Sequence, residues 1–262
     1  MIALISKLLQ RLLPSSSEER HRGNGLFVSY SHKDRAFVQQ LSTYLEQEEI
    51  PPWIDNQLQI GESWESVIAR RIEGCAALLV VMSPDSRESH YVAKELALAA
   101  KCGKSILPVL VAGNAFNELS HLQAADLRTL AWPNYRLIER IRDLSAPGQA
   151  PSKIVQRRRV EMFVAMSLRS LMGDAAPIVT VGTGYAIDCG VDLNKSMQEL
   201  GFDELEWTEF LLMLNEQLPG RDFGLQIGDY GTSRFRQLTD LVEHLTMKMD
   251  WQDIRRIDVI WH

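Results

Sequence analysis

The run from Ala76 to Met82 carries no polar side chain, and this constrains the chain more than any other feature. A strand that is apolar at every position has both faces covered, as in a parallel sheet between helical layers. Its neighbours in sequence agree. Leu26–Tyr30, Trp53–Ile54 and Ser105–Val111 are further strand candidates. Between them lie segments with helical spacing. Arg35–Glu49 places Phe37, Val38, Leu41, Tyr44 and Leu45 on one side and is stopped by Pro51-Pro52. Trp64–Gly74 follows the loop Asp55–Ser63, with Ser63 as its start signal and Gly74 at its end. A third helix pattern begins around Ser89 and runs over Tyr91–Lys101 to a glycine cap at Gly103. Strands alternating with helices predict an α/β layer structure with right-handed crossovers. Leu119–Leu130 and Tyr135–Leu144 are expected to be helical as well.

The second half lacks this alternation. Ser145-Ala146-Pro147-Gly148-Gln149-Ala150-Pro151-Ser152 is the clearest linker. Val160–Met172, Asp203–Leu218 and Phe235–Met249 then read as amphipathic helices, with a glycine-rich loop after the first. The expected order is an N-terminal helix and linker (1–23), an α/β domain (24–144), a linker (145–154), a small helical domain (155–248) and a tail (249–262). In the tail, Ile257–Trp261 looks like a strand or a docking segment. Met1–Leu13 is apolar at helical spacing but too short to span a bilayer, and no small-residue cleavage site follows its apolar core. It is expected to pack on the protein, on another copy, or on a membrane surface.

Composition closes several classes. A formal net charge of -6 argues against broad phosphate or nucleic-acid binding. The short basic run Gln156-Arg157-Arg158-Arg159 does not alter that balance and reads as a solvated helix start. Cys75, Cys102 and Cys189 have no metal-ligand spacing and read as reduced thiols of a cytoplasmic protein. No metal site is expected.

Glu95 is the residue most placed for chemistry. It lies about two turns into the helix that follows the strand Ala77–Met82, and ligands of open α/β sheets bind beyond the carboxyl ends of the strands. It is expected there as a surface carboxylate.

Four motifs carry a resemblance. Leu26-Phe27-Val28-Ser29-Tyr30-Ser31 followed by His32-Lys33-Asp34 is similar to the first box of the TIR domain family. Trp53-Ile54-Asp55, Leu58, Ile60-Gly61 and Trp64 resemble its BB-loop region. Leu79–Pro84 resembles its third strand, and Gly103–Val109 its fourth strand with the lead-in. The resemblance covers roughly 24–144 and implies a flavodoxin-like parallel sheet. It also implies one of two functions. Some members are scaffolds that self-associate. Others cleave NAD between nicotinamide and ribose, to ADP-ribose or a cyclic form, with a glutamate in the third helix. Glu95 matches that glutamate. The family usually has tryptophan four residues earlier, where this chain has Tyr91.

The chemistry is consistent with one carboxylate. Cleaving the bond to a pyridinium develops oxocarbenium character on the ribose, which a carboxylate stabilises, as in glycoside hydrolysis. Nicotinamide leaves as a neutral base, so no general acid is required. Trp64 is a candidate for stacking on a ring. Ser31 and His32 are expected to line the crevice after the first strand, Ser83 to complete its floor, and Asp55 to meet a ribose hydroxyl or a neighbouring copy. Plainer roles compete: a solvated, ion-paired Glu95, a core Trp64, a turn residue His32 and a loop cap Asp55.

Met197–Glu216 is similar to the acyl carrier protein family, in which Leu-Gly-x-Asp-Ser-Leu opens the second helix, and Phe235–Leu245 is similar to its last helix. That resemblance covers roughly 155–248. Glu204 stands where the family's serine carries phosphopantetheine, and a carboxylate cannot form that phosphodiester. Thr208 is no substitute. No prosthetic arm is expected, and the domain reads as an interaction module. Together these features lead to the expectation of a cytoplasmic NAD-consuming effector of bacterial defence or stress, switched on by homo-oligomeric assembly, with NAD as substrate and no other cofactor. The competing expectations are a non-catalytic TIR adaptor and a factor acting on host TIR signalling.

Overall fold

The computed structural model describes residues 25–54, 64–128, 135–171, 179–180, 187–188, 192–196, 198–218, 223, 225, 235 and 237–257. The expected N-terminal helix, the loop from Asp55 to Ser63 and the tail segment beyond Ile257 lie outside them. Two compact units form. One comprises Met1–Glu46, Ile50–Leu130 and Arg140–Gly148; the other comprises Gln47–Glu49, Ala131–Glu139 and Gln149–His262.

The first unit is a parallel sheet with flanking helices. Its strands are β1 (Leu26–Ser29), β2 (Pro52–Trp53), β3 (Ala77–Met82), β4 (Ser105–Leu110) and β5 (Ala125–Asp126). They lie in the order β2-β1-β3-β4-β5, every neighbouring pair parallel. This is the flavodoxin-like order expected from the sequence. The helices are α1 (Arg35–Gln47), α2 (Trp64–Gly74), α3 (Pro84–Glu88) and α4 (His90–Lys101). Every residue of β3 is buried, as its unbroken apolar run requires. Leu78, Val80 and Met82 pack with Val67, Ile68 and Ile72 of α2 and with Val92, Leu96 and Ala99 of α4. Phe27 joins the same cluster. Ser29, two residues further along β1, therefore faces the same helices.

Two local features depart from the sequence reading. The helix expected over Leu119–Leu130 is not formed over its described residues, 119–128: Asn117–Leu119 is a single 3-10 turn, and Ala125–Asp126 pairs with Val109–Leu110 as β5. A parallel edge strand satisfies the outer backbone groups of β4, which a helix there would leave open. Pro84–Glu88 is a separate short helix, α3, capped by the Ser83 hydroxyl accepting from the Ser86 amide, with Pro84 in its first turn. Gly113 has φ 69°, and a Cβ there would lie 3.1 Å from Pro84 Cγ, so the loop after β4 comes close to α3 only because 113 is glycine. Arg87 holds the same loop by donating to the carbonyls of Asn114 and Ala115 at 2.9 and 2.8 Å.

The second unit is mainly helical. α5 (Tyr135–Ser145) contributes its first residues to it, followed by α6 (Lys153–Leu171), α7 (Glu204–Gln217), α8 (Leu238–Lys248) and α9 (Trp251–Ile257), with a two-stranded pair β6 (Val179–Thr180) and β7 (Ile187–Asp188). Its core gathers Val160, Phe163, Val164 and Leu168 of α6 with Phe210, Leu211 and Leu214 of α7 and Leu238, Leu241, Val242 and Leu245 of α8. The tail begins as the helix α9. Asp250 and Asp253 cap it reciprocally, the Asp253 amide donating to Asp250 at 3.0 Å and the Asp250 amide to Asp253 at 2.9 Å. Ile254 and Ile257 then drop into the core.

Candidate active site at the ends of β1 and β3

β1 and β3 are neighbours, yet the chain leaves β1 toward β2 on one side and leaves β3 toward β4 on the other. At such a reversal the outgoing loops diverge and open a crevice at the carboxyl ends of the two strands. Ser29, Ser83, Ser86 and Glu95, four of the buried polar residues of the first unit, collect there.

Glu95 is one of them. Val92, Glu95, Leu96 and Ala99 are the buried residues of α4. Their spacing of i, i+3, i+4 and i+7 is a single helical face, the one turned to the sheet. Glu95 thus occupies a core position and is 7% exposed, where a surface carboxylate was expected. The sequence period already contained that correction, because Glu95 is one turn past Val92 and one turn before Ala99. A buried carboxylate needs hydrogen-bond partners. The Ser29 hydroxyl, at the last position of β1, donates to Glu95 Oε2 at 2.5 Å. Ser29 itself is 1% exposed. Sequence reasoning passed over Ser29, although it is the first polar residue of the run Leu26-Phe27-Val28-Ser29 and that break was visible.

A second polar set ties the loop after β1 to the loop after β3. Ser83 Oγ and Ser86 Oγ both donate to Asp34 Oδ2, at 2.7 and 2.9 Å. The Ser31 amide donates to Ser86 Oγ at 3.0 Å. Ser83 Oγ also accepts from the Ser86 amide at 3.0 Å. The two sets cross: a β1 serine holds the carboxylate of the helix after β3, and serines after β3 hold the carboxylate of the turn after β1. Asp34 and Ser86 were not singled out from the sequence, because a carboxylate ending a short polar turn reads there as solvated.

Of the residues proposed from the sequence, the structure brings Ser31 and Ser83 into this second set and places Glu95 beside Ser29. His32 opens the 3-10 turn His32–Asp34, is exposed, and meets Tyr30 edge-on at a ring separation of 6.2 Å. Tyr91, one turn before Glu95 on α4, is 50% exposed. Asp55 lies outside the described residues, as does the Trp64 side chain, although Trp64 begins α2. No group of His, Cys, Asp and Glu among the described residues is arranged to hold a metal ion.

The arrangement offers a fixed, largely dehydrated carboxylate at the mouth of a parallel sheet, next to a rim of hydroxyls. Such a carboxylate stabilises a developing cation more strongly than one in water, because the surrounding dielectric is lower.

Comparison with known proteins finds a likeness for part of the chain. Residues 26–141 match the family model described as TIR domain. Among solved structures, the TIR domain of the Toll-related receptor TRR-2 from Hydra magnipapillata is 25% identical, covering 45% of this chain and 97% of that one with a TM-score of 0.40. No curated protein matches.

Proposed function

We propose, from the premise that residues 26–141 are a TIR domain, that this unit is an NAD glycohydrolase with Glu95 as its catalytic carboxylate. The observation that supports this most is the burial of Glu95 against Ser29 at the ends of β1 and β3. A carboxylate kept at a core position costs stability unless it is compensated, and this one sits where α/β sheets bind ligands. In the reaction, the nicotinamide–ribose bond breaks with both electrons leaving on nicotinamide. Positive charge develops on the ribose. Glu95 stabilises that charge or accepts a ribose hydroxyl proton in a hydrogen bond. Water then completes the bond to ribose and loses its proton to solvent, giving ADP-ribose, or a ring nitrogen of the adenine completes the bond, giving the cyclic form. Ser31, His32, Asp55, Trp64, Ser83 and Tyr91 are proposed as the substrate-contacting rim, with Tyr91 in the role of the family's tryptophan. Assembly of copies through the TIR unit is proposed as the switch, in a defence or stress response.

The helical unit is proposed as an interaction module. Asp203 caps α7 by accepting from the amides of Leu205 and Glu206, and Glu206 returns a bond to the Asp203 amide. Glu204 is simply the first residue of α7, and Thr208 Oγ1 donates to the Glu204 carbonyl at 2.7 Å. Neither side chain is suited to carry a phosphopantetheine arm. An acyl-carrier ancestry would leave the shape of the helix without its chemistry.

A second reading, a TIR adaptor without activity, draws on Tyr91 of α4. Tyr91 is large and 50% exposed, which suits a protein-binding surface as well as a substrate rim. The deciding experiment is nicotinamide release from NAD by the full chain across a wide concentration range, beside Glu95→Ala. Release that rises steeply with concentration and is absent in the variant is the expected outcome. Absence of release from chains shown to have assembled would overturn the enzyme reading in favour of the adaptor.

A further inference from the structure

We propose that Ser29 is a positioning residue for Glu95, fixing the carboxylate at the carboxyl end of β1 and keeping it ionised. The inference rests on the glycohydrolase reading for its catalytic part, while its electrostatic part stands without it.

The placement comes first. Ser29 ends β1 and pairs in register with Val80, well inside β3. Its backbone is therefore fixed by the sheet, and the strand alternation that buries Phe27 under α2 and α4 points the Ser29 hydroxyl at the same helices. Glu95 approaches from α4 at a position flanked by Val92, Leu96 and Ala99, all of them buried. At 2.5 Å, the contact is at the short end for a hydroxyl donating to a carboxylate. The serine contributes a side chain too small to fill this space by itself. Alanine would serve packing at least as well in a run of Leu26-Phe27-Val28, so the hydroxyl is what the position uses.

Two consequences follow. A donor aimed at the charged form of a carboxylate favours that form against burial, which disfavours it. And a glutamate tied at Oε2 has lost the rotamer freedom of a solvent-facing one, so Oε1 has a defined direction relative to the strand ends. Neither effect requires Ser29 to touch substrate. The effect on the reaction should fall on kcat and leave KM nearly unchanged, since orientation of the carboxylate matters once charge develops.

The test titrates Glu95 directly, in the full chain labelled with carboxyl-13C glutamate. The Glu95 resonance is identified by its absence in Glu95→Gln. In Ser29→Ala its midpoint is expected to rise by about one pH unit, the size of a lost hydrogen bond to a charged group. Ser29→Cys keeps the volume with a weaker donor and should rise less; it also serves if Ser29→Ala does not fold. Nicotinamide release by assembled protein should fall roughly 10- to 100-fold in kcat for Ser29→Ala, with its acid limb displaced upward. An unchanged Glu95 midpoint in both variants overturns the proposal. A displaced midpoint with full release from Glu95→Gln instead overturns the catalytic role of Glu95 and leaves the Ser29–Glu95 coupling standing.

Discussion

Arg159 in the helical unit and Glu95 in the sheet unit are both buried ionisable side chains, at 1% and 7% exposure, but their surroundings differ in kind. Arg159 reaches Glu48 and Glu139 at 2.7 Å each, and its guanidinium lies 5.0 Å from the centre of the Trp251 ring. Glu139 is shared with Arg255 at 2.6 Å. Two cations and two anions close on each other. Glu95 takes a neutral hydroxyl and sits at the mouth of the sheet. Burial of charge alone therefore does not mark a site. A charge cancelled by partners of opposite sign holds a fold together, whereas the carboxylate that accepts from Ser29 at a strand end is the one proposed for chemistry.

The largest effect that would break this contrast is on the helical side. Arg159→Met removes one member of the cluster and takes an opposite charge away from two carboxylates, Glu48 with a side chain only 2% exposed and Glu139, which keeps Arg255. Losing one partner of a buried pair costs about 3–5 kcal/mol. Urea denaturation of the full chain should show this loss in the transition that reports the helical unit. Replacing Glu48 and Glu139 by glutamine in the same variant should recover much of it. A cost below about 1 kcal/mol for Arg159→Met would be a surface-pair value and would erase the distinction.

Glu95→Gln sharpens the other half. Glutamine keeps the shape and still accepts from Ser29, so the midpoint of urea unfolding should move by about 1 kcal/mol or less. Nicotinamide release should fall roughly a hundredfold or more, as when charge stabilisation is removed from a reacting centre. A site residue loses function with the fold intact; a structural one loses the fold. If Glu95→Gln unfolds the sheet unit as Arg159→Met unfolds the helical one, Glu95 belongs to the structural class.

Much of the sheet unit was legible because its signals are local. The unbroken run Ala77–Met82 could only be a covered strand, and the placement of Glu95 followed from the helix after it. Depth was not read, though the i, i+3, i+4, i+7 spacing of Val92, Glu95, Leu96 and Ala99 encoded it. Partners were harder. Ser29 and Glu95 are 66 residues apart and Asp34 and Ser83 are 49 apart, and only the register of β1 on β3 makes them neighbours. The short β5 was misread as helix because two residues of edge pairing leave no periodicity. The Arg159 cluster was misread as a solvated basic run for the same reason: Gln156–Arg159 looks polar in sequence, but one position in that turn of α6 faces Glu48, Glu139 and Trp251, which come from distant segments.

A smaller effect is expected at α7. Asp203 accepts from two amides at 2.9 Å each and completes a reciprocal cap with Glu206. Asp203→Ala should destabilise the helical unit by about 1 kcal/mol, and Asp203→Asn by less. Both should leave nicotinamide release by assembled protein unchanged if the sheet unit alone carries the chemistry. Loss of release in Asp203→Ala at full folding would instead tie the helical unit to the activity.

The smallest effect repeats the chemistry of Arg159 at the surface. Arg128 Nη2 lies 2.5 Å from Asp126 Oδ2 beside β5, as tight a pair as Arg159 with Glu48, but the side chains are 47% and 49% exposed. The hydrogen bond from Arg128 holds the Asp126 carboxyl below its usual range. The sign follows: whatever this pair contributes is present above the ordinary carboxylate range and fades as pH drops through the lowered value. Water and salt screen it throughout. Arg128→Ala should leave the urea midpoint of the sheet unit unchanged at neutral pH, in low salt and in high. A measurable loss would mean that Arg128 works through the Gly113 carbonyl, to which it donates at 3.2 Å, and so through the loop that α3 holds beside β3. Arg128→Lys separates the two: a lysine retains the charge beside Asp126 but not the planar fork that reaches both acceptors.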